Sequence, residues 1–300
     1  MNPVRHIAVL ATVVCLGTIP VAGDANGEVR RKAGLSMQSA GMGDATRSTS
    51  VGHNALMQNP AGMSQVKAYQ ITTGFGYNHL DYQSMPTISF VDSLLNPMLA
   101  AGVGYTFRAA SGFEGDGDRR REHHTRGGLS TGYFSESIGF ALGAGLQWLN
   151  MGQADSGTAD DYVTMDASAM IVVLQTIRIA VVGHNAFQFS DTDPKGDTPR
   201  SLGTGVSATL GQFLIGFDTD TDFDTYKSPV ASYHLGMQVM AIPTLPLRVG
   251  YAADPGENAH RVSGGIGYWT PAFMVDLGYQ HNVQTSGDFI LGLDLVFALN

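Results

Sequence analysis

From Lys67 to the C-terminus, apolar residues alternate with polar or small ones at a period of two, the spacing that turns successive side chains to opposite faces of a strand. In the last segment Phe289, Leu291, Leu293, Leu295, Phe297 and Leu299 share one face. Gly292, Asp294, Ala298 and Asn300 share the other with Ile290 and Val296. Leu99, Ala101, Val103, Tyr105 and Phe107 repeat the pattern against Gly102, Gly104, Thr106 and Arg108, as do Phe140, Leu142, Ala144, Leu146 and Trp148 against Gly143, Gly145 and Gln147. Helical spacing fits none of these runs. Such segments number about fourteen: 67–78, 86–92, 98–108, 127–135, 139–150, 162–173, 177–186, 201–209, 213–219, 230–241, 245–252, 261–269, 272–280 and 288–299.

The connections between them alternate in length. Long polar ones fall near 79–85, 109–126, 151–161, 187–200, 220–229, 253–260 and 281–287, and short ones near 93–97, 136–138, 174–176, 210–212, 242–244 and 270–271. A soluble sandwich has no reason to sort its loops by length. An outer-membrane barrel does, with short periplasmic turns and longer outer loops. Charge supplies an independent test, because Arg or Lys on the lipid face at mid-depth costs about 2–4 kcal/mol. Asp166, Arg178, Arg248, Asp276 and Asp294 each stand between two apolar neighbours, on the inward register. They form a candidate lumen charge network in which Arg248 is the partner that lets Asp276 and Asp294 sit side by side. Most strand glycines share that inward face, which predicts an occupied lumen. Tyr77, Tyr133, Trp148, Tyr162, Tyr251, Trp269 and Tyr279 fall near strand ends, as an interfacial aromatic girdle requires.

Composition sharpens this reading. Charged residues are 14% of the chain and glycines number 38 in 300, against about 25% and 7% in ordinary soluble domains. A net charge of −9 argues against a nucleic-acid partner. At the N-terminus, Arg5 and His6 precede an apolar run from Ile7 to Val21 that ends at Ala22 and Gly23. That is the layout of a secretory signal peptide, residues 1–23, with cleavage expected within 22–26. The single cysteine, Cys15, lies in it, so the mature chain is expected to have no disulfide, Cys metal site or thiol nucleophile. Beyond Gly23 no stretch reaches the roughly 18–20 apolar residues of a membrane helix.

Residues 24–66 break the period-two pattern. They are rich in Gly, Ser, Met and Asn; 50–57 predicts one short helix, and Gln58-Asn59-Pro60-Ala61-Gly62 predicts the turn that stops it. Placed before the first strand of a wide barrel, this segment reads as a hatch in the lumen. Gly41-Met42-Gly43-Asp44-Ala45 and Asn59-Pro60-Ala61-Gly62 resemble the hatch motifs of the long-chain fatty-acid transporter (FadL) superfamily, and within it of the PorV/PorQ-like outer-membrane proteins. Leu245–Tyr251, Gly264–Tyr268 and Met274–Tyr279 resemble elements of their C-terminal half. The resemblance implies an all-β fold: a transmembrane antiparallel β-barrel of about 14 strands over 67–300, with the hatch at 24–66, in the outer membrane of a Gram-negative bacterium. It implies passive transport or binding of a hydrophobic small molecule. The chain is shorter than the fatty-acid transporters proper, which leaves a PorV-like interaction protein in secretion or surface attachment as the alternative. The expected partners are outer-membrane lipid, a hydrophobic ligand or a secreted protein, and the barrel-assembly machinery through the C-terminal strand.

Other candidate chemistry is weaker. Asp218, Asp220, Asp222 and Asp224 place four carboxylates on one face of an extended segment, which a calcium ion or a solvated lumen rim would equally explain. An EF-hand needs Gly where Phe223 stands and Glu where Pro229 stands. Asp191, Asp193 and Asp197 form a second acidic stretch. Residues 109–126 hold Glu114, Asp116, Asp118, Arg119, Arg120, Arg121, Glu122, His123, His124 and Arg126, and read as a mixed-charge solvated loop, with a metal at His123 and His124 or contact with anionic lipopolysaccharide as alternatives. Gly128-Leu129-Ser130-Thr131-Gly132 spells a nucleophile-elbow pattern, but that motif works on a strand-to-helix turn and no helix is predicted after it. No enzyme activity and no cofactor other than calcium are expected.

Overall fold

A computed structural model describes residues 36–80, 82–96, 98–110, 120–153, 159–190 and 198–299. The expected signal peptide, the first part of the 24–66 segment, Glu114–Arg119, Asp191, Asp193 and Asp197 lie outside the described residues.

Fourteen strands follow one another: β1 (Tyr69–Asn78), β2 (Gln83–Asp92), β3 (Leu99–Ala110), β4 (Arg120–Phe134), β5 (Ile138–Gln153), β6 (Ala159–Val173), β7 (Ile177–Gln188), β8 (Ser201–Leu210), β9 (Phe213–Asp222), β10 (Val230–Ile242), β11 (Leu245–Asp254), β12 (Ala259–Trp269), β13 (Phe273–Asn282) and β14 (Phe289–Leu299). Each pairs antiparallel with its neighbours in sequence, and β1 pairs with β14 from Tyr69↔Leu299 to Asn78↔Ile290, closing the barrel. Closure leaves no edge strand with unpaired backbone groups, the condition for a sheet to cross a bilayer. The outward register is the apolar one: Phe75, Val103, Leu142, Leu146, Val249, Leu277, Leu291 and Phe297 are exposed, while Asp166, Arg248, Asp276 and Asp294 are buried inside. A skin of this kind is solvated by lipid tails, so the chain is a transmembrane barrel.

The structure corrects the expected loops. β4 starts at Arg120 and β5 runs to Gln153, so the expected connections 109–126 and 151–161 shrink to 111–119 and 154–158. The cause is the outward face at that level, where Arg121, His123, Asn150 and Asp161 replace apolar residues and erase the alternation. Glu122 and His124 are consequently buried in the lumen, not in a solvated loop. Trp269 and Tyr162 also leave the expected girdle. Trp269 faces inward and donates to Asp276, and Tyr162 packs with Leu149 and Met151.

Two ladders are interrupted. Between β2 and β3, Met85 and Pro86 have no partner in the register, because proline lacks the N–H a ladder needs. Between β6 and β7 the register shifts from Met165↔Phe187 to Ala167↔Gly183. The bulged residues of β7 turn to Asp166, which accepts the Asn185 N–H at 2.8 Å and lies 3.4 Å from His184 Nδ1.

Residues 36–66 carry two short helices, α1 (Met37–Gly41) and α2 (Gly52–Gln58), then a 3₁₀ turn over Pro60–Gln65. α2 and the turn have counterparts among the expected elements, and α1 has none. α1 starts where the Ser36 hydroxyl accepts the Ser39 N–H at 3.1 Å, satisfying one of the donors a helix start leaves open. The segment is packed inside the ring: α1 lies against β11 to β14, α2 against β1 to β4, and the 3₁₀ turn against β3 to β6.

Candidate functional site: a filled waist below a polar vestibule

Inward glycines meet residue to residue across the sheet in rows: Gly76, Gly292, Gly278 and Gly265; Gly250, Gly236 and Gly216; Gly102, Gly128 and Gly145. Without Cβ atoms, these rows let another chain approach the wall backbone closely. Met37 packs on Gly76, Gly278 and Gly292, Met42 on Gly236 and Gly250, Ala45 on Gly216, and Met63 on Gly102 and Gly128. A methyl group added at Gly143 would overlap the Pro60–Ala61 backbone. The unbranched, polarizable methionine side chain suits such shallow sockets.

Both motif elements have identifiable tasks. Gly43 has φ +62° and sits against the Tyr251 backbone, a combination only glycine meets without strain. Gly41 touches Gly265, Met42 fills its socket, and Ala45 is 1% exposed. Asn59 is fully buried and donates from Nδ2 to the Arg47 carbonyl at 2.8 Å. Pro60 opens the 3₁₀ turn, and Gly62 passes against the Ser50 carbonyl. Ala61 N–H donates to Ser168 Oγ at 2.9 Å, while its carbonyl accepts from Ser130 Oγ at 3.0 Å. Ser130 therefore lies within a continuous strand, not at a strand-to-helix turn.

The five lumen charges do not make one network. Arg248 NH1 meets Asp276 at 2.6 Å, reaching across β12 at Gly265 and Gly267, with its guanidinium over the Trp269 ring at 4.9 Å. Asp294 is the direct cross-strand neighbour of Asp276 and takes the Met37 N–H at 2.7 Å, which ties α1 to the wall. Asp166 belongs to the β7 bulge instead, and Arg178 bonds Thr209 at 3.0 Å away from both groups. Of the four aspartates, only Asp218, Asp220 and Asp222 share the lumen face. Asp222 accepts the Asp224 and Thr225 N–H groups, which ends the strand, and Asp224 pairs with Arg200 at 2.8 Å. Among the described residues, no group of three or more His, Cys, Asp or Glu is arranged to hold a metal ion.

Arg47 is the residue sequence reasoning missed. Its N–H donates to Asp218 at 2.7 Å, and its guanidinium donates to Asp220 and to the Thr219 carbonyl, each at 2.9 Å. The available signal was Arg47 as the one Arg or Lys between Ser36 and Val66, set against the aspartate run. His53 and Ser89 were missed as well; their Nδ1 and Oγ lie 2.7 Å apart, and burial, with help from Arg126, pushes the His53 imidazole down to about 4. His234 Nδ1 donates to the Gly43 carbonyl at 2.9 Å, and Arg126 donates to the Met57 carbonyl at 2.5 Å.

On the loop side of the segment lies a cavity of about 240 Å³. Its floor is Arg47, Met57 and Gln58. Arg108, Glu122, His124 and Arg126 line one wall, Asp220, Asp222, Asp254 and Glu257 another, with apolar surface from Met85, Leu149, Met151 and Ile290.

No family model matches the chain, and no curated protein matches it. Solved structures do. The Ralstonia pickettii toluene transporter TbuX superposes with a TM-score of 0.59 at 12% identity, over 89% of this chain and 98% of that one. The CymD monoaromatic hydrocarbon channel gives 0.61 at 14%, over 88% and 99%. A Pseudomonas aeruginosa FadL homologue gives 0.56 at 12%, over 87% and 97%. The chain has the FadL-like barrel fold. At these identities the likeness is one of architecture, and it agrees in strand number and closure with the pattern read from the sequence. Of these, TbuX is described as a transporter and CymD as a channel.

Proposed function

We propose that the chain is an outer-membrane protein of a Gram-negative bacterium that passively admits a small hydrophobic molecule, with residues 36–66 as its hatch. The observation that carries this reading is the filled waist. Ala40, Met42, Ala61 and Met63 are at most 1% exposed between the glycine rows, so a molecule entering the vestibule passes only if the hatch shifts. Likeness to the toluene transporter and the monoaromatic channel supports the ligand class, as do the Met57, Met85, Leu149 and Met151 surfaces in the vestibule. β14, which closes the barrel against β1, is on the same reading the element that barrel-assembly machinery engages. The PorV-like alternative has no observation among the described residues in its favour.

Ser64 and Ser130 provide the test, since their hydroxyls lie 2.9 Å apart across the hatch and wall. Cysteines at both positions are close enough for a disulfide, and the mature chain has no other thiol. In proteoliposomes, an apolar aromatic tracer is expected to enter when this pair is reduced and to stop when it is oxidised. Equal uptake in both states, or uptake no faster than in empty liposomes, removes the reading.

A further inference from the structure

The outward wall at the loop end of the barrel carries a feature that transport does not use. The Tyr105 hydroxyl and His123 Nδ1 lie 2.7 Å apart across β3 and β4, and Phe107 packs 5.0 Å from the His123 ring. Tyr251 and His260 repeat the arrangement across β11 and β12, hydroxyl to Nδ1 at 2.5 Å. In a ring of fourteen strands these two pairs lie on opposite flanks. Both face away from the lumen, on the register of the lipid-facing Val103 and Val249. Arg121 is exposed two residues before His123 on the same face and has no ion-pair partner among the described residues.

Where the phenol O–H is the donor, the pairing fixes the place of the imidazole proton. A phenol O–H donating to Nδ1 leaves the proton of the neutral ring on Nε2, and a protonated ring carries one there too. Both protonation states therefore keep a donor at Nε2. Tyrosine marks the level of the lipid headgroups, where the available acceptors are headgroup oxygens and not acyl chains. A phosphate takes the strongest bond from such a donor, strengthened by charge and by a neighbouring guanidinium, and basic side chains recognise lipid head groups in this way at other membrane surfaces.

We propose that Tyr105–His123 with Arg121, and Tyr251–His260, are two headgroup sites for a phosphorylated lipid of the outer leaflet, gripping the barrel on opposite flanks. This requires only that the barrel spans the membrane, and it stands or falls separately from the transport reading.

Native mass spectrometry of the detergent-solubilised barrel tests it, with bis-phosphorylated lipid A and its dephosphorylated form as probes. A preference of about fivefold for the phosphorylated lipid is expected, falling to within about twofold in an Arg121→Gln, His123→Gln, His260→Gln variant. A Tyr105→Phe, Tyr251→Phe variant keeps the ring packing, loses the hydroxyls, and is expected to fall between. It also serves if the triple variant fails the heat-modifiability check for folding. Millimolar inorganic phosphate is expected to leave the adducts in place. Equal binding of the two lipids, displacement by free phosphate, or full preference in the folded variants overturns the proposal.

Discussion

Arg47 reaches Asp220 from inside the lumen while its own N–H holds Asp218, so one residue of the hatch balances two carboxylates of β9. Taking one partner from a buried ion pair costs about 3–5 kcal/mol, because the other charge stays behind in low dielectric. Arg47→Ala is therefore expected to loosen the hatch without opening the sheet. The check is a rise in the frequency of conductance steps in planar bilayers, with the unfolding temperature of the barrel changed far less. His53 adds a dependence on pH. Its docked ring stays neutral down to about 4, whereas a solvated imidazole takes a proton near 6.5. Between those values the undocked hatch binds the extra proton, so docking weakens as pH falls from about 6.5 towards 4 and is unaffected above that window. The full effect is on the order of 3 kcal/mol. Opening events are expected to be rarer at pH 7.5 than at pH 5 in the native protein and to lose that dependence in His53→Asn; a flat profile in the native protein would exclude His53 as the cause.

The glycine rows make a different prediction at the scale of an element. Strand glycines usually weaken a sheet, yet here they seat the hatch on the wall, against its backbone at Gly143, Gly216, Gly236, Gly250 and Gly278 and against methionine side chains at Gly76, Gly102 and Gly128. Gly143→Val puts branched carbons where Pro60 and Ala61 lie. It is expected to expose the 3₁₀ turn to limited proteolysis while the barrel, whose backbone ladder a valine at this position still makes, migrates as a folded species. The strands were legible because one face of each meets lipid and must be apolar, so period two survives the whole length from β1 to β14. Legibility ended where that cause ended. At Arg120–Arg126 both faces are polar, so the start of β4 was read as loop; α1 spans less than two turns and has no period to detect. Trp269 and Tyr162 read as girdle residues because aromatics near strand ends look alike from either face. The hatch anchors were hidden for another reason: Met37–Asp294 and Arg47–Asp220 join residues 257 and 173 positions apart, and a single sequence records no such pairing. Asp166, Arg248, Asp276 and Asp294 are buried on the inner face, but Arg248 reaching Asp276 over β12 depends on a gap at Gly265 and Gly267 that side-chain alternation does not encode.

For the whole molecule, the question is whether the barrel needs its filling. A soluble core collapses when its centre is removed, because apolar side chains are left facing a void. The inner surface here is of another kind. Apolar patches are present, at Val91, Met170, Val172 and Ile290 among others, but between them it presents glycine, serine, threonine, aspartate, arginine and glutamine, which water can solvate, and the hydrogen-bond ring closes between β1 and β14 without help from residues 36–66. Asp218 and Asp294, held by hatch N–H groups in the intact protein, would meet water instead of an apolar cavity. Deleting residues 36–66 is therefore expected to leave a barrel that folds in detergent, keeps its β-sheet circular dichroism and heat-modifiable migration, and unfolds at a somewhat lower temperature. What changes is the through-path: the glycine rows that now touch the hatch would line an open waist, and steady conductance is expected where the intact protein shows brief steps. An unfolded deletion variant would mean that the hatch is the core of the structure. A folded but non-conducting one would mean that something other than residues 36–66 blocks the lumen.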